Sequence, residues 1–457
     1  MECHAVIFCG KGSGLSPISA VKETGLPKAL LPVANRPMIQ YVLEWCDRAP
    51  FRQITIFAET STLGKISKFV DTYKELRDPD LARTSPIECI GADASTTGLI
   101  LSQHKDHILK HTQNFVLLPC DFITDVPPQV LVEVYRGQDS NNIGLSVCYN
   151  NSFENIDTNK VLEGNYTMYS SQNGQSVLLD LYSQSSVALS KFLKIRTHLL
   201  WRYPNTQVST NLLDSFIFFG DARLFKLLDE HAGGLTANKP AIKIRRDLAR
   251  RSWRHSVEKE TMGLFILPAK STFARCNNLP VYMEANRYIL KLQARDNTSV
   301  PRPKAEKPKN TATVGADSKV GDDTVLGERT SVKRSVIGNR CKIGNKCRIT
   351  ACVLLDGVVL EDDIQLENCI IGTNTQIGAG TRLVNCNVEG SYAVGRKVSL
   401  KGETLTNLQL DLEDEEGSYG AIEETSSEDD SDGSGGSDYD DESFEEEEYD
   451  EDIFDRT

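Results

Sequence analysis

The sequence predicts a Rossmann-like α/β domain over residues 1–294, a parallel β-helix of hexapeptide repeats over 312–402, and an acidic tail over 403–457. Three observations carry this reading. Apolar runs of strand length alternate with amphipathic helical stretches in the first region. The apolar period then changes to six, the mark of a solenoid whose turns stack on one another. Beyond the repeats the composition shifts to Asp, Glu, Ser and Gly, which bury too little apolar surface to offset chain ordering, so the tail is predicted to be disordered.

The α/β elements follow in order. Strands are expected at AVIFCG (5–10), QITIFA (53–58), IECIG (87–91), FVLLPCD (115–121) and GLSVCY (144–149). Helical patterns fall between them at 38–46, 64–76, 98–111 and 128–136. This alternation implies a mostly parallel sheet with helices on both faces, and such sheets bind ligands outside the carboxyl ends of their strands. A further strand and helix are read in SFIFFGDARLFKLLDEH (215–231), and LPVYMEANRYILKL (279–292) closes the domain as a helix. Residues 295–311 combine three prolines with charge and lack apolar period, which makes them a linker.

In the repeat region, aliphatics recur at Val314, Val320, Leu326 and Val332, then at Ile337, Ile343 and Ile349, and again from Ile371 to Leu400. Glycine follows many of them, as at Gly315, Gly321 and Gly327. Three hexapeptides close one three-sided coil of about 18 residues. Each coil stacks only on its neighbours, leaving flat sides and an exposed end suited to assembly.

Charge and cysteine usage narrow the class. The formal net charge of −13 divides unevenly: 411–457 holds 23 Asp/Glu and one Arg, a net of −22, while 1–410 holds 50 Lys/Arg against 41 Asp/Glu, or +9. The twelve cysteines form no C-x-x-C pair, and five fall inside the repeat, the pattern of small buried thiols rather than a metal site. The chain has no apolar run long enough to span a membrane and no signal-like start, so no membrane association and a cytosolic location are expected. The basic stretch IKIRRDLARRSWRH (242–255) reads as a solvated helix or protein interface, because only Trp253 interrupts it as a stacking residue. No direct nucleic-acid partner is expected.

The chemistry-bearing residues gather at strand ends. GKGSG (10–14) follows the first strand, LPKALLPVANRPMIQY (26–41) follows that loop, and CDFITDV (120–126) closes the fourth strand. Gly10, Gly12, Lys28 and Asp121 are therefore the candidate nucleotide-pocket residues. Loop amides and a lysine attract phosphate, and a carboxylate at a strand end can hold a metal. The same residues also admit structural roles: the glycines a tight turn, Lys28 a solvated charge, Asp121 a cap on the turn that follows.

Together with YMEANR (282–287) and VGADSKVGDDTVLGERTSVKRSVIG (314–338), these motifs resemble the sugar-nucleotide pyrophosphorylase-like subunits of eukaryotic translation initiation factor 2B, within the wider nucleotidyltransferase superfamily. The resemblance covers roughly 1–402 and is greatest for the gamma type. It implies a nucleotidyltransferase-like domain and a left-handed β-helix. It also implies a subunit of the guanine nucleotide exchange factor for initiation factor 2, with an epsilon-type catalytic subunit and the factor's other subunits as partners. Epsilon-type subunits add a C-terminal helical repeat domain that carries exchange activity. Here 55 residues follow Gly402, and they are acidic and low in complexity, which implies the gamma type.

The same resemblance implies a degenerate catalytic site. The superfamily loop typically reads Gly-Gly-x-Gly-Thr-Arg-Leu-x-Pro, whereas this chain has CGKGSGLSP, with Gly14 where the arginine stands. The second metal-holding Asp, aligned from Tyr282 and Asn286, falls on Arg275. No catalytic residue, metal or cofactor is therefore expected, and the pocket residues are read as vestigial. The alternatives are an active pyrophosphorylase, such as a mannose-1-phosphate guanylyltransferase, or a non-catalytic scaffold of one.

Overall fold

The computed structural model of the chain describes residues 3–407, apart from 78–84, 95, 154–155, 157–160, 163, 173, 194, 196, 231–234, 255–259 and 299–311. The acidic tail from residue 408, with its predicted disorder, lies outside the described residues. The α/β domain and the β-helix belong to one compact unit covering Met1–Thr406. No described helix is long and apolar enough to cross a membrane.

The strands of the α/β domain are β1 (Cys3–Cys9), β2 (Pro32–Val33), β3 (Arg36–Pro37), β4 (Phe51–Ala58), β5 (Ile87–Gly91), β6 (Asn114–Pro119) and β7 (Phe122–Thr124). They continue with β8 (Asn142–Asn150), β9 (Asn165–Gln172), β10 (Gln175–Ser183), β11 (Thr206–Ser209), β12 (Leu212–Asp221), β13 (Thr261–Ile266) and β14 (Phe273–Arg275). Ten of them form one sheet in the order β11-β9-β10-β13-β8-β12-β6-β1-β4-β5. The half nearest β1 is parallel, with β6, β1, β4 and β5 in register. The expectation of a mostly parallel sheet fails beyond it. There β12 inserts antiparallel between β6 and β8, and the hairpin β9–β10 and edge strand β11 extend the sheet antiparallel. Polar runs such as NYTMYSSQ lack the continuous apolar signature of a strand buried on both faces, so this hairpin is not visible as core.

Alternation along β1 builds two cores. Ala5, Ile7 and Cys9 point to one face, where helices Met38–Asp47, Thr60–Leu76 and Pro128–Arg136 supply Ile39, Val42, Val70 and Leu131. Val6 and Phe8 point to the other, under Ile100, Leu224, Ile244 and Leu248. Each fully buried Leu or Ile is worth about 1.5–3 kcal/mol of transfer free energy, which pins the sheet between its helices. The helical pattern at 98–111 breaks into Thr97–Gln103 and Lys105–Ile108.

The basic helix, Ala241–Arg254, is not a solvated one. Arg245 is buried and pairs with Asp214, Arg250 pairs with Asp180 at 2.8 Å, and Arg251 pairs with Glu260. Arg245 and Arg250 are drawn inward because Asp214 of β12 and Asp180 of β10 face them.

The repeat region forms three parallel sheets of six, six and five short strands. Register corrects the coil length. Val314 pairs with Val332, but Val332 then pairs with Ile349, Ile349 with Leu366, Leu366 with Leu383 and Leu383 with Leu400. The coil is therefore 17 residues after the first turn, because Val332 to Ile337, Ile349 to Leu354 and their successors are steps of five. Like the six-residue corners, the shortened one holds a residue in the left-handed region, in turn Arg334, Ala351, Asn368, Asn385 and Gly402, with φ from 51° to 73°. Stacking continues through Thr404–Leu405, which pairs with Asn387–Val388. All five repeat cysteines are buried free thiols.

Helix Leu279–Thr298 joins the two parts, so the first residues assigned to the linker are helical. Tyr282, Met283, Ile289 and Leu290 from this helix share one apolar core with Val336, Val353 and Ile370, which face outward from one β-helix sheet. Polar contacts frame it: Asn35 Nδ2 donates to the Ile337 carbonyl at 2.7 Å, and Lys319 Nζ to the Ala34 carbonyl at 2.8 Å.

Candidate nucleotide site

Gly10 follows β1 directly, and the chain turns through Gly12 in the left-handed region (φ 85°). A Cβ on Gly12 would lie 3.1 Å from Lys28 Cβ and 3.2 Å from Ser19 Cβ, so glycine lets the loop fold onto the Lys28 segment. The Ser19 hydroxyl fixes that closure by donating to the Gly12 carbonyl at 2.5 Å. At Gly14 a Cβ would meet the Asn277 carbonyl oxygen at 2.4 Å. The loop is thus pressed against the backbone that follows Arg275. There is no room for an arginine at that position.

Lys28 begins a short helical turn, Lys28–Leu30, and its side chain points inward. Its Nζ lies 3.1 Å from Asp121 Oδ2, just past the end of β6. Arg275 ends β14, which runs antiparallel to β7 and pairs Arg275 with Phe122. This pairing carries the guanidinium to the same carboxylate, with Nε and Nη2 3.3 Å from Oδ1 and Nη2 3.3 Å from Oδ2. The Cys276 amide donates to the Asp121 carbonyl at 2.8 Å and locks the two segments together. Relative exposure is 1% for Lys28 and 0% for Asp121.

Burial alone would raise the Asp121 carboxyl; the charges of Arg275 and then Lys28 outweigh it and hold the group below the usual carboxylate range. Arg275 shows the converse: burial disfavours its charge, and Asp121 restores it above the ordinary value. Asp121 is a buried anion clamped by two cations.

The ionic cluster extends beyond the residues read from sequence. Arg275 lies over the Phe216 ring at 5.6 Å and Arg245 over the same ring at 5.5 Å. Arg245 Nη1 is 3.0 Å from Asp214 Oδ1 and 3.1 Å from Ser146 Oγ. Phe216 adopts φ 63° where β12 slips register against β8, and this bulge turns its ring between the two guanidiniums. Arg245 stands in a stretch whose sequence reads as a solvated helix or protein interface, and nothing in the sequence marks the bulge.

The structure therefore brings Lys28 and Asp121 together, packs Gly12 against Lys28, and leaves Gly10 at the strand end. Chemically, the arrangement neutralises charge inside the protein and does not present it to solvent. Among the described residues no group of three or more His, Cys, Asp or Glu side chains could hold a metal ion.

Fold and site define a Rossmann-like α/β domain with a closed strand-end ion cluster, joined to a parallel β-helix. Residues 302–404 match the family model described as the EIF2B subunit epsilon LbH domain. The chain is also 26% identical over 316 residues to translation initiation factor eIF2B subunit gamma of Schizosaccharomyces pombe, covering 64% of this chain and 66% of that relative. These two likenesses support a gamma-type subunit of eIF2B.

Proposed function

We propose that this chain is a non-catalytic, gamma-type subunit of initiation factor 2B. In this reading it acts in the cytosol with an epsilon-type catalytic subunit and the factor's other subunits, promoting GDP-to-GTP exchange on initiation factor 2. The observation that supports the non-catalytic reading is the sealed Lys28–Asp121–Arg275 cluster. Nucleotidyl transfer is catalysed mostly by charge neutralisation and alignment: loop amides, an arginine, a lysine and metal-holding carboxylates offered to a triphosphate. Here Arg275 takes up the carboxylate, Lys28 is bound to it, and the loop at Gly14 is closed.

A subunit without exchange chemistry contributes by positioning. An exchange factor releases GDP by binding the nucleotide-free G protein more tightly, and bound GDP weakens its hold equally. A partner that adds substrate-binding surface raises the effective concentration of the catalytic subunit at its target. The test has two arms. The purified chain, given nucleoside triphosphates, common sugar 1-phosphates and Mg²⁺, is expected to release no more pyrophosphate than its Lys28→Ala, Asp121→Ala variant. Added to an epsilon-type subunit, it is expected to raise GDP release from initiation factor 2 several-fold, while releasing none alone. Pyrophosphate release above the variant overturns the non-catalytic reading, and an unchanged exchange rate under binding conditions overturns the assignment.

A further inference from the structure

The far edge of the sheet carries an exposed apolar knuckle unrelated to the ion cluster. Helices Gln184–Ser190 and Thr197–Arg202 lead into edge strand β11. Leu199 turns inward beside Met168 and Leu179 and anchors the segment. Its neighbours turn outward: Leu189, Phe192, Ile195, Leu200, Trp201 and Val208 are all exposed, Leu189 at 85% and Trp201 at 78%. Six of the eleven exposed large hydrophobics among the described residues thus fall within twenty positions. Single exposed apolar side chains are ordinary, but a concentration rich in aromatics and leucine marks an interaction surface.

Charge and backbone identify the occupant. Residues 184–209 hold four Lys/Arg and no Asp or Glu, with Lys191 and Arg202 exposed among the apolar groups. A second copy would bring like charges together, which disfavours self-association. Strand β11 ends the sheet and pairs only with β9 among the described residues, so its outer edge offers backbone donors and acceptors. Hydrocarbon cannot satisfy such groups, whereas an added strand can. We infer that this knuckle and the β11 edge dock an extended, acid-flanked apolar segment of a partner protein.

The probe is a dye-labelled peptide, EDEVTFTVEDE, titrated into the full chain and followed by anisotropy, with KKKVTFTVKKK as its charge-reversed control. The acidic peptide is expected to bind about ten-fold or more tighter than the control, and to slow amide exchange at 206–209. Trp201→Ala with Leu189→Ser should weaken it by about ten-fold without changing the circular dichroism. Lys191→Glu with Arg202→Glu, which brings the stretch from four net positive charges to zero, should abolish the chain's preference for the acidic peptide. Equal binding of both peptides, no binding, protection confined to other segments, or indifference to both double variants overturns the inference. So does preferential binding to phosphatidylserine vesicles, or dimerisation of the chain that buries 206–209.

Discussion

Asp121 and Arg275 meet across the ends of β6 and β14 with a guanidinium nitrogen 3.3 Å from each carboxylate oxygen, and both side chains are buried. Lys28 closes the third side. Such a cluster gains little over well-packed apolar groups, because desolvation offsets attraction; removing one member strands the others.

Asp121→Ala should therefore destabilise the protein by about 3–5 kcal/mol, since Lys28 and Arg275 remain buried without their anion. The triple replacement Lys28→Met, Asp121→Leu, Arg275→Met should recover most of that loss. Urea denaturation midpoints, compared at equal slope, measure both effects; a triple variant as unstable as the single one contradicts this account.

Restoring the loop arginine should harm the fold and not create an enzyme. The Gly14 position sits 2.4 Å, measured from an added Cβ, from the Asn277 carbonyl. Gly14→Arg is expected to cost about 1–3 kcal/mol through forced backbone displacement. It should yield no pyrophosphate release in the assay described above, and thermal melting and that assay check the two halves separately.

His4 gives a pH signature. Its Nδ1 faces the Ile108 carbonyl at 2.9 Å and must donate, so Nε2 accepts from the Thr55 hydroxyl at 2.8 Å. Burial first, and the neighbouring His107 and His111 less strongly, lower its pKa to about 4 despite the Ile108 contact, which raises it. The unfolded chain takes up this proton below about pH 6.5, while the folded protein resists until about pH 4. Stability from this group is therefore intact above pH 6.5 and declines as pH falls towards 4, by about 3 kcal/mol at most. His4→Gln should flatten the slope of unfolding free energy between pH 6.5 and 4.5; an unchanged slope would show that other groups dominate.

The shortened corner offers a stabilising substitution. Ala351 holds φ 56° where the next coils use Asn368, Asn385 and Gly402. Ala351→Gly should stabilise the β-helix by about 0.5–1 kcal/mol, and Gly402→Ala should cost a similar amount. Chemical denaturation of the two variants should give shifts of opposite sign.

Much of this was legible because it depends on local periodicity. Alternation in AVIFCG and QITIFA places β1 and β4, and the aliphatic-glycine repeat reveals a β-helix without any pair contact. The 17-residue coil was hidden in the spacing from Val332 to Ile337, which a hexapeptide reading passes over. The closed site was half legible: Gly14 and Arg275 stand in the sequence, but the register of β7 with β14 decides that Arg275 reaches Asp121. The inward turn of Arg245 and the Phe216 bulge depend on strand partners distant in sequence, and local patterns carry no information about those.

The shortened corner leads into the sheet whose outer residues, Val336, Val353 and Ile370, meet the helix Leu279–Thr298. One residue is lost at the Val332–Ile337 corner without cost to the stacking, but loss of one within a strand would turn its aliphatic out of the core, whereas loss or gain of 17 preserves the side each one faces. Contacts with the α/β domain run on to Glu389, which accepts from the Thr24 hydroxyl at 3.0 Å, so whole coils added beyond it would move the chain's exit by about 4.8 Å each while the docked surface stays where it is. The prism behaves as a ruler whose zero is fixed against the α/β domain and whose far mark is free to change.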